Sequence, residues 1–159
     1  MLTDRERQFL ERAIELSGKS MQSKQGGPFG CIVVQGDVII GEGYNKVTSS
    51  NDPTAHAEVV AIREACKKLG TYQLSDCEIY TSCEPCPMCL GAIYWARPKR
   101  VIYANTREDA AAIEFDDEFI YKEINASIDD RKIPFVHFPH PEAKRVFDEW
   151  KNWEGKTKY

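Results

Sequence analysis

No run of about 18 apolar residues occurs in the 159-residue chain, so no segment is suited to span a membrane. Basic charge is not in excess either. The chain has 21 Lys and Arg against 25 Asp and Glu, a formal net charge of −4. A protein that lives on a phosphate backbone draws most of its affinity from clustered cations, so this balance argues against nucleic acid as partner. The first seven residues, Met-Leu-Thr-Asp-Arg-Glu-Arg, lack the basic start and apolar stretch of a secretory signal, which predicts a cytoplasmic protein. Histidine is scarce, at three, and repeats, low-complexity tracts and linkers are missing. Cysteine is not scarce: there are six. A domain of this length buries about two-thirds of its unfolded surface and needs no disulfide scaffold. In a reducing compartment, closely spaced cysteines point to metal or catalysis. Cys83, Cys86 and Cys89 fall within seven residues, whereas Cys31, Cys66 and Cys77 are scattered and read as core thiols.

Helical and strand patterns alternate along the chain, which predicts one α/β domain over residues 1–159. Phe9, Leu10, Ala13, Ile14 and Leu16 recur near helical spacing, predicting a helix over 3–17 that stops at Gly18. After the breaker Gly26-Gly27-Pro28, residues 29–34 and 38–44 read as a hairpin turning at Gln35-Gly36-Asp37. Asn51-Asp52-Pro53-Thr54 is a turn that caps a helix over 55–69, ended by Gly70. A strand over 78–81, a helix over 87–95, a strand over 100–104 and a helical stretch at 110–112 follow. Residues 135–138 form a fifth strand or an extended segment, and a final helix covers about 142–153. A strand after each middle helix implies crossovers with parallel pairing, hence a mixed five-stranded sheet with an antiparallel starting hairpin.

Pro85-Cys86-Pro87-Met88-Cys89 puts two thiols three residues apart where a helix opens. That spacing shares one helix face, and the unpaired N–H groups of a helix start favour thiolate, the form that binds zinc. The same pair also marks redox proteins. His56, in Thr54-Ala55-His56-Ala57-Glu58, supplies a third ligand at another helix start. Three ligands are one short of a closed tetrahedral zinc site. Cys83 as a fourth would make the site structural; water in that place would make it catalytic. Glu58 favours catalysis, because a carboxylate beside a metal histidine can take the proton of an activated water and return it to a leaving group. On an ideal helix, positions i and i+2 point about 200° apart. The metal must therefore lie off the end of the helix rather than beside its flank. His-x-Glu followed by Pro-Cys-x-x-Cys is the signature of the zinc nucleobase deaminases.

These motifs, together with Gly26-Gly27-Pro28-Phe29-Gly30, Asn51-Asp52-Pro53, Gly91-Ala92-Ile93-Tyr94-Trp95-Ala96-Arg97-Pro98, Phe115-Asp116-Asp117 and the ending Lys158-Tyr159, span nearly the whole chain. On them the chain resembles the purine branch of the cytidine deaminase superfamily, and within it the bacterial guanine deaminases. The resemblance implies a three-layer α/β/α cytidine-deaminase-like fold and hydrolysis of guanine to xanthine and ammonia. It implies one Zn2+ per chain held by His56, Cys86 and Cys89, with Cys83 not a ligand and Glu58 the proton shuttle. It implies Asn45, Asp117 and the backbone of Ala57 as purine-reading groups, with Phe29 and Trp95 enclosing the ring. It also implies a homodimer in which the C-terminal segment, 139–159, crosses to the partner and Tyr159 closes the partner's site. The family also has a tail glutamate near the site, to which Glu142, Glu149 or neither corresponds.

Read on their own, several of these residues have plainer roles. Phe29 and Trp95 suit ordinary packing, Asn45 a turn, and Asp117 the solvated face of Asp116-Asp117-Glu118. Two metal-motif rivals remain beside a free purine base as substrate: guanosine or another aminoheterocycle, and adenosine in tRNA. A non-catalytic zinc module is the reading from a different class, and Glu58 speaks against it.

Overall fold

Thr3 starts the first helix with a reciprocal cap: Glu6 donates its N–H to the Thr3 hydroxyl, and the Glu6 carboxylate accepts from the Thr3 N–H at 2.7 Å. The computed structural model describes residues 1–159, and this helix, α1, covers Asp4–Gln22. It runs through Gly18 rather than stopping there. Its last turns are anchored by buried Leu16 and Ser20, and the Ser20 hydroxyl donates to the Asn45 carbonyl at 2.8 Å. Such packing outweighs the cost of one helical glycine, about 1 kcal/mol. A methyl at Gly18 would meet nothing within 4 Å. Gly18→Ala is therefore expected to stabilise the protein by about 0.5–1 kcal/mol, raising the thermal midpoint in a melt by roughly 1–4 °C.

The strands are β1 (Gly30–Gln35), β2 (Val38–Tyr44), β3 (Cys77–Cys83) and β4 (Arg100–Asn105), ordered β2-β1-β3-β4. β1 is antiparallel to both neighbours, and β3 pairs with β4 in parallel, so the sheet is mixed. It has four strands, not five. Residues 135–138, between Pro134 and Pro139, pair with no strand. The second crossover gives the expected parallel pair. In the first, β1 sits between β2 and β3, so those strands share a direction without being neighbours.

Alternation along the strands divides the core. Ile32, Val34 and Tyr80 pack with Ala13 and Leu16 of α1 on one face. Cys31, Val33 and Ile79 pack on the other face with α3 (Ala57–Leu69) and α4 (Pro87–Ala96), which contribute Ala57, Ala61, Ala65, Ile93 and Ala96. The layers are α/β/α. Cys31 to Val34 are buried without exception, as expected of a central strand covered on both sides. α3 lies directly on β2: a methyl at Gly43 would run into the Ala57 carbonyl, and one at Gly41 into that of Ala61. This close approach lays the start of α3 against the sheet.

One turn of helix, α2 (Val47–Ser50), and α5 (Arg107–Ala112), α6 (Glu118–Asn125) and α7 (Pro141–Asn152) complete seven helices, with a 3-10 turn at Ile128–Asp130. Two compact units result, Met1–Glu118 and Phe119–Tyr159. The first holds the sheet and both core clusters. The second has no buried residue, and Phe135, Val136, Phe138 and Phe147 are exposed. All six cysteines are free thiols, and no helix is long and apolar enough to cross a membrane.

Candidate metal centre and active site

Two helix starts converge in the first unit. His56 is the N-cap of α3 and Cys86 the N-cap of α4, both with extended backbone (ψ 155° and 168°), and Cys89 lies in the first turn of α4. Pro87 suits the first position of α4, where its missing N–H costs no helical bond. As a cap, His56 stands outside the helical repeat, so the 200° divergence expected between His56 and Glu58 does not arise. Gly70, left-handed at φ 64°, closes α3 as expected, but the helix opens at Ala57 rather than 55 because His56 takes the cap. Asp52 organises the preceding turn by accepting from the Thr54 N–H at 2.8 Å.

The donor atoms of His56, Cys86 and Cys89 all lie within 4.8 Å of one another. His56 Nδ1 is 3.5 Å from Cys86 Sγ and 3.6 Å from Cys89 Sγ. A tetrahedral zinc with Zn–S of about 2.3 Å and Zn–N of about 2.0–2.1 Å sets its nitrogen and sulfur about 3.5–3.6 Å apart. The trio fits zinc. Its protonation fits too. The Cys89 thiol's hydrogen bond, and then that with His56, draw Cys86 below the ordinary thiol range, while that same bond and burial push Cys89 up. His56 is raised by its bond to Cys86. A cation would take over the charge these groups now balance with protons.

Cys83 stands outside the trio. Its thiol donates to the Thr106 carbonyl at 3.5 Å, and burial pushes it up to about 11, far from thiolate. Glu58, only 6% exposed, accepts from the Cys89 thiol through Oε2 at 3.4 Å, and burial raises its carboxyl above the ordinary range. A buried carboxyl touching a metal-ligand sulfur is placed for proton transfer at the same centre.

Around this centre, Ala57 is the first residue of α3, and its N–H has no intrahelical acceptor. Asn45 is buried, and its Oδ1 accepts from the Val47 N–H at 3.1 Å, leaving the amide NH2 as the outward-facing group. Asp117 is half-buried, and burial followed by the negative charge of Cys86 raises its carboxyl. It is less exposed than its neighbours: Asp116 is exposed and accepts the Glu118 N–H at 2.8 Å, at the start of α6. Phe29 is half-buried and meets Phe115 edge-on, ring centroids 5.0 Å apart at 86°. Trp95 is 64% exposed, six residues past Cys89 on α4. Tyr159, 67% exposed, ends the second unit. Glu142 and Glu149 both pair with Arg145 on α7.

Sequence reasoning gave no role to Glu84. Its carboxylate accepts the Arg107 N–H at 3.1 Å while its own N–H donates to Asn105 at 2.8 Å, tying the cysteine loop to the start of α5. An acidic residue between two motif cysteines was the available signal.

Residues 3–105 match the family described as "Cytidine and deoxycytidylate deaminase zinc-binding region". The chain is 57% identical over 151 residues to guanine deaminase of Bacillus subtilis, covering 95% of this chain and 97% of that one. The X-ray structure of a guanine deaminase from Bacillus subtilis superposes with a TM-score of 0.94 at 54% identity, covering 99% of each chain. The tRNA-specific adenosine deaminase of Aquifex aeolicus is 30% identical over 142 residues, 89% of this chain and 91% of that protein. The paired helix starts, the three converging donors and these likenesses place the chain in the zinc-binding cytidine and deoxycytidylate deaminase family.

Proposed function

We propose that this protein is a zinc-dependent deaminase that hydrolyses guanine to xanthine and ammonia. The observation that carries the reading is a buried Glu58 in contact with a three-donor centre, in a chain 57% identical to a guanine deaminase. His56, Cys86 and Cys89 would hold the metal, which when bound supplies Lewis-acid activation of water at neutral pH.

Glu58 takes a proton from the attacking water as oxygen bonds to C2. It returns that proton to the adjacent ring nitrogen. It then takes the proton of the hydroxyl now on C2 and delivers it to the exocyclic amine, which leaves as ammonia as the C–N bond breaks and the C2 carbonyl forms. The Asn45 NH2 and the Ala57 N–H are donors, suited to the acceptors of a 6-oxo purine. Asp117 is an acceptor, suited to a ring N–H. A 6-amino purine would set donor against donor, and an unpaired buried donor is costly. Phe29 offers an aromatic wall to the base. Trp95 and Tyr159 complete the enclosure in an assembled dimer.

The homodimer reading is supported by the second unit, which has no core of its own. Val146, Phe147, Trp150 and Trp153 lie at near-helical spacing on or at the end of α7, and all are exposed. Exposed apolar faces of this kind mark interfaces, and exchange of residues 139–159 between protomers would cover them. Six free thiols suit the reducing cytoplasm. Against tRNA as substrate stand the net charge of −4 and the lower identity to an adenosine deaminase, 30%.

Purified protein offered guanine, guanosine, adenine and cytosine should convert guanine to xanthine, followed by ultraviolet absorbance. The same preparation should scatter light as a dimer. Zinc-loaded protein inert toward guanine sinks the reading.

A further inference from the structure

Phe115 is 45% exposed, yet its ring touches Phe29, a candidate base-binding residue, and packs over Gly27 beside it. It meets Phe29 edge-on at 5.0 Å between centroids. It also fills the space above Gly27, where a Cβ would sit 2.8 Å from Phe115 Cζ and 3.0 Å from Phe29 Cε2. The core cluster that Phe29 packs against does not include Phe115. Its ring is therefore not needed to close the core.

The residue sits at a bend. The N–H groups of Glu114 and Phe115 donate back to the Ala111 and Ala110 carbonyls at 3.0 Å, and Glu114 is left-handed at φ 70°. These two bonds are the backbone pair that ends α5 around a left-handed residue, and packing of Phe115 helps offset the cost a non-glycine residue bears in that conformation. Two residues on is Asp117. At the other end of α5, Glu84 secures the Arg107 N–H to the cysteine loop. The segment 107–117 is thus fastened to the metal loop at its start and to Phe29 and Gly27 near its end.

We propose that Phe115 is a positioning residue: wedged against Gly27 and the edge of Phe29, it holds the 113–117 bend so that Asp117 and the Phe29 ring are set for the purine. This inference rests on the guanine reading for its substrate but not for its geometry. Phe115→Ala should raise KM for guanine about tenfold, the upper range of one aromatic contact, with kcat changed less than about threefold. Zinc per chain and the thermal midpoint should stay those of the wild type. Amide hydrogen exchange over 113–117 should accelerate about tenfold. Phe115→Leu, which keeps an apolar plug, should stay within about threefold of the wild-type KM. Gly27→Ala, which pushes a methyl into the same ring, should reproduce the KM defect with Phe115 in place.

An unchanged KM or unchanged exchange in Phe115→Ala overturns the proposal. If that variant does not fold, a wild-type KM in Gly27→Ala overturns it. Wild-type protein inert toward guanine would instead overturn the substrate reading, and the exchange experiment would still judge Phe115.

Discussion

Glu58→Gln is expected to lower kcat on guanine by roughly 10³- to 10⁴-fold while zinc per chain stays at the wild-type value. The substitution keeps the shape of the side chain and removes only its capacity to take a proton. Glu58 is buried, with Oε2 3.4 Å from Cys89 Sγ, and nothing else at the centre offers a carboxylate in contact with the metal donors. In the proposed reaction the same carboxyl works twice over: it carries one proton from water to the ring nitrogen and a second from the new C2 hydroxyl to the departing amine. Single proton transfers contribute about 10²- to 10⁴-fold, and a group used repeatedly belongs at the upper end. Folding should not suffer, because burying a carboxylate costs more than burying a neutral amide of the same size. Rate and stability are therefore expected to part, with turnover lost and the thermal midpoint unchanged or higher. A variant retaining more than about a tenth of wild-type kcat would remove Glu58 from the proton path.

Much of this centre was legible in the sequence because its chemistry is written in short motifs. His-x-Glu and Pro-Cys-x-x-Cys name the donors, and their positions at helix starts follow from Pro87, Gly70 and the turn at Asn51–Thr54. The apparent conflict between His56 and Glu58 dissolves because a cap residue is not yet helical, which no periodicity can show. The hairpin and the β3–α4–β4 crossover were likewise legible from Gln35-Gly36-Asp37 and the strand-like segments 29–34 and 78–81. Tertiary context decided the remainder. Gly18 sits inside α1 because Leu16 and Ser20 are held on either side of it. Residues 135–138 have strand composition but are bracketed by Pro134 and Pro139, and they find no partner strand. α6 begins among Asp116, Asp117 and Glu118, where acidic composition pointed to a solvated face; the Asp116 carboxylate accepts from the Glu118 N–H, and Asp117 is partly buried. Contacts such as Phe29 with Phe115 join residues 86 positions apart, beyond any local pattern.

The number of protein ligands separates a reaction centre from a structural knot, and four substitutions count them. His56→Ala, Cys86→Ser and Cys89→Ser should each leave less than about a tenth of a zinc per purified chain and no turnover. Cys83→Ser should keep about one zinc per chain, with activity within a few-fold of wild type. The two cysteine environments differ enough to make this a sharp contrast. Cys86 is drawn down by hydrogen bonds with Cys89 and His56, which favours its thiolate form. Cys83 is held up at about 11 by burial and gives its proton to the Thr106 carbonyl, an interaction a serine hydroxyl can replace. Loss of metal should also lower the thermal midpoint, since without it two partly buried donors, buried Cys89 and Glu58 must share protons at the junction of α3 and α4. A chelator should reproduce that drop in the wild-type protein, and added zinc should reverse it. Loss of zinc from Cys83→Ser with its fold intact would mean four protein ligands, a closed site, and no place at the metal for water.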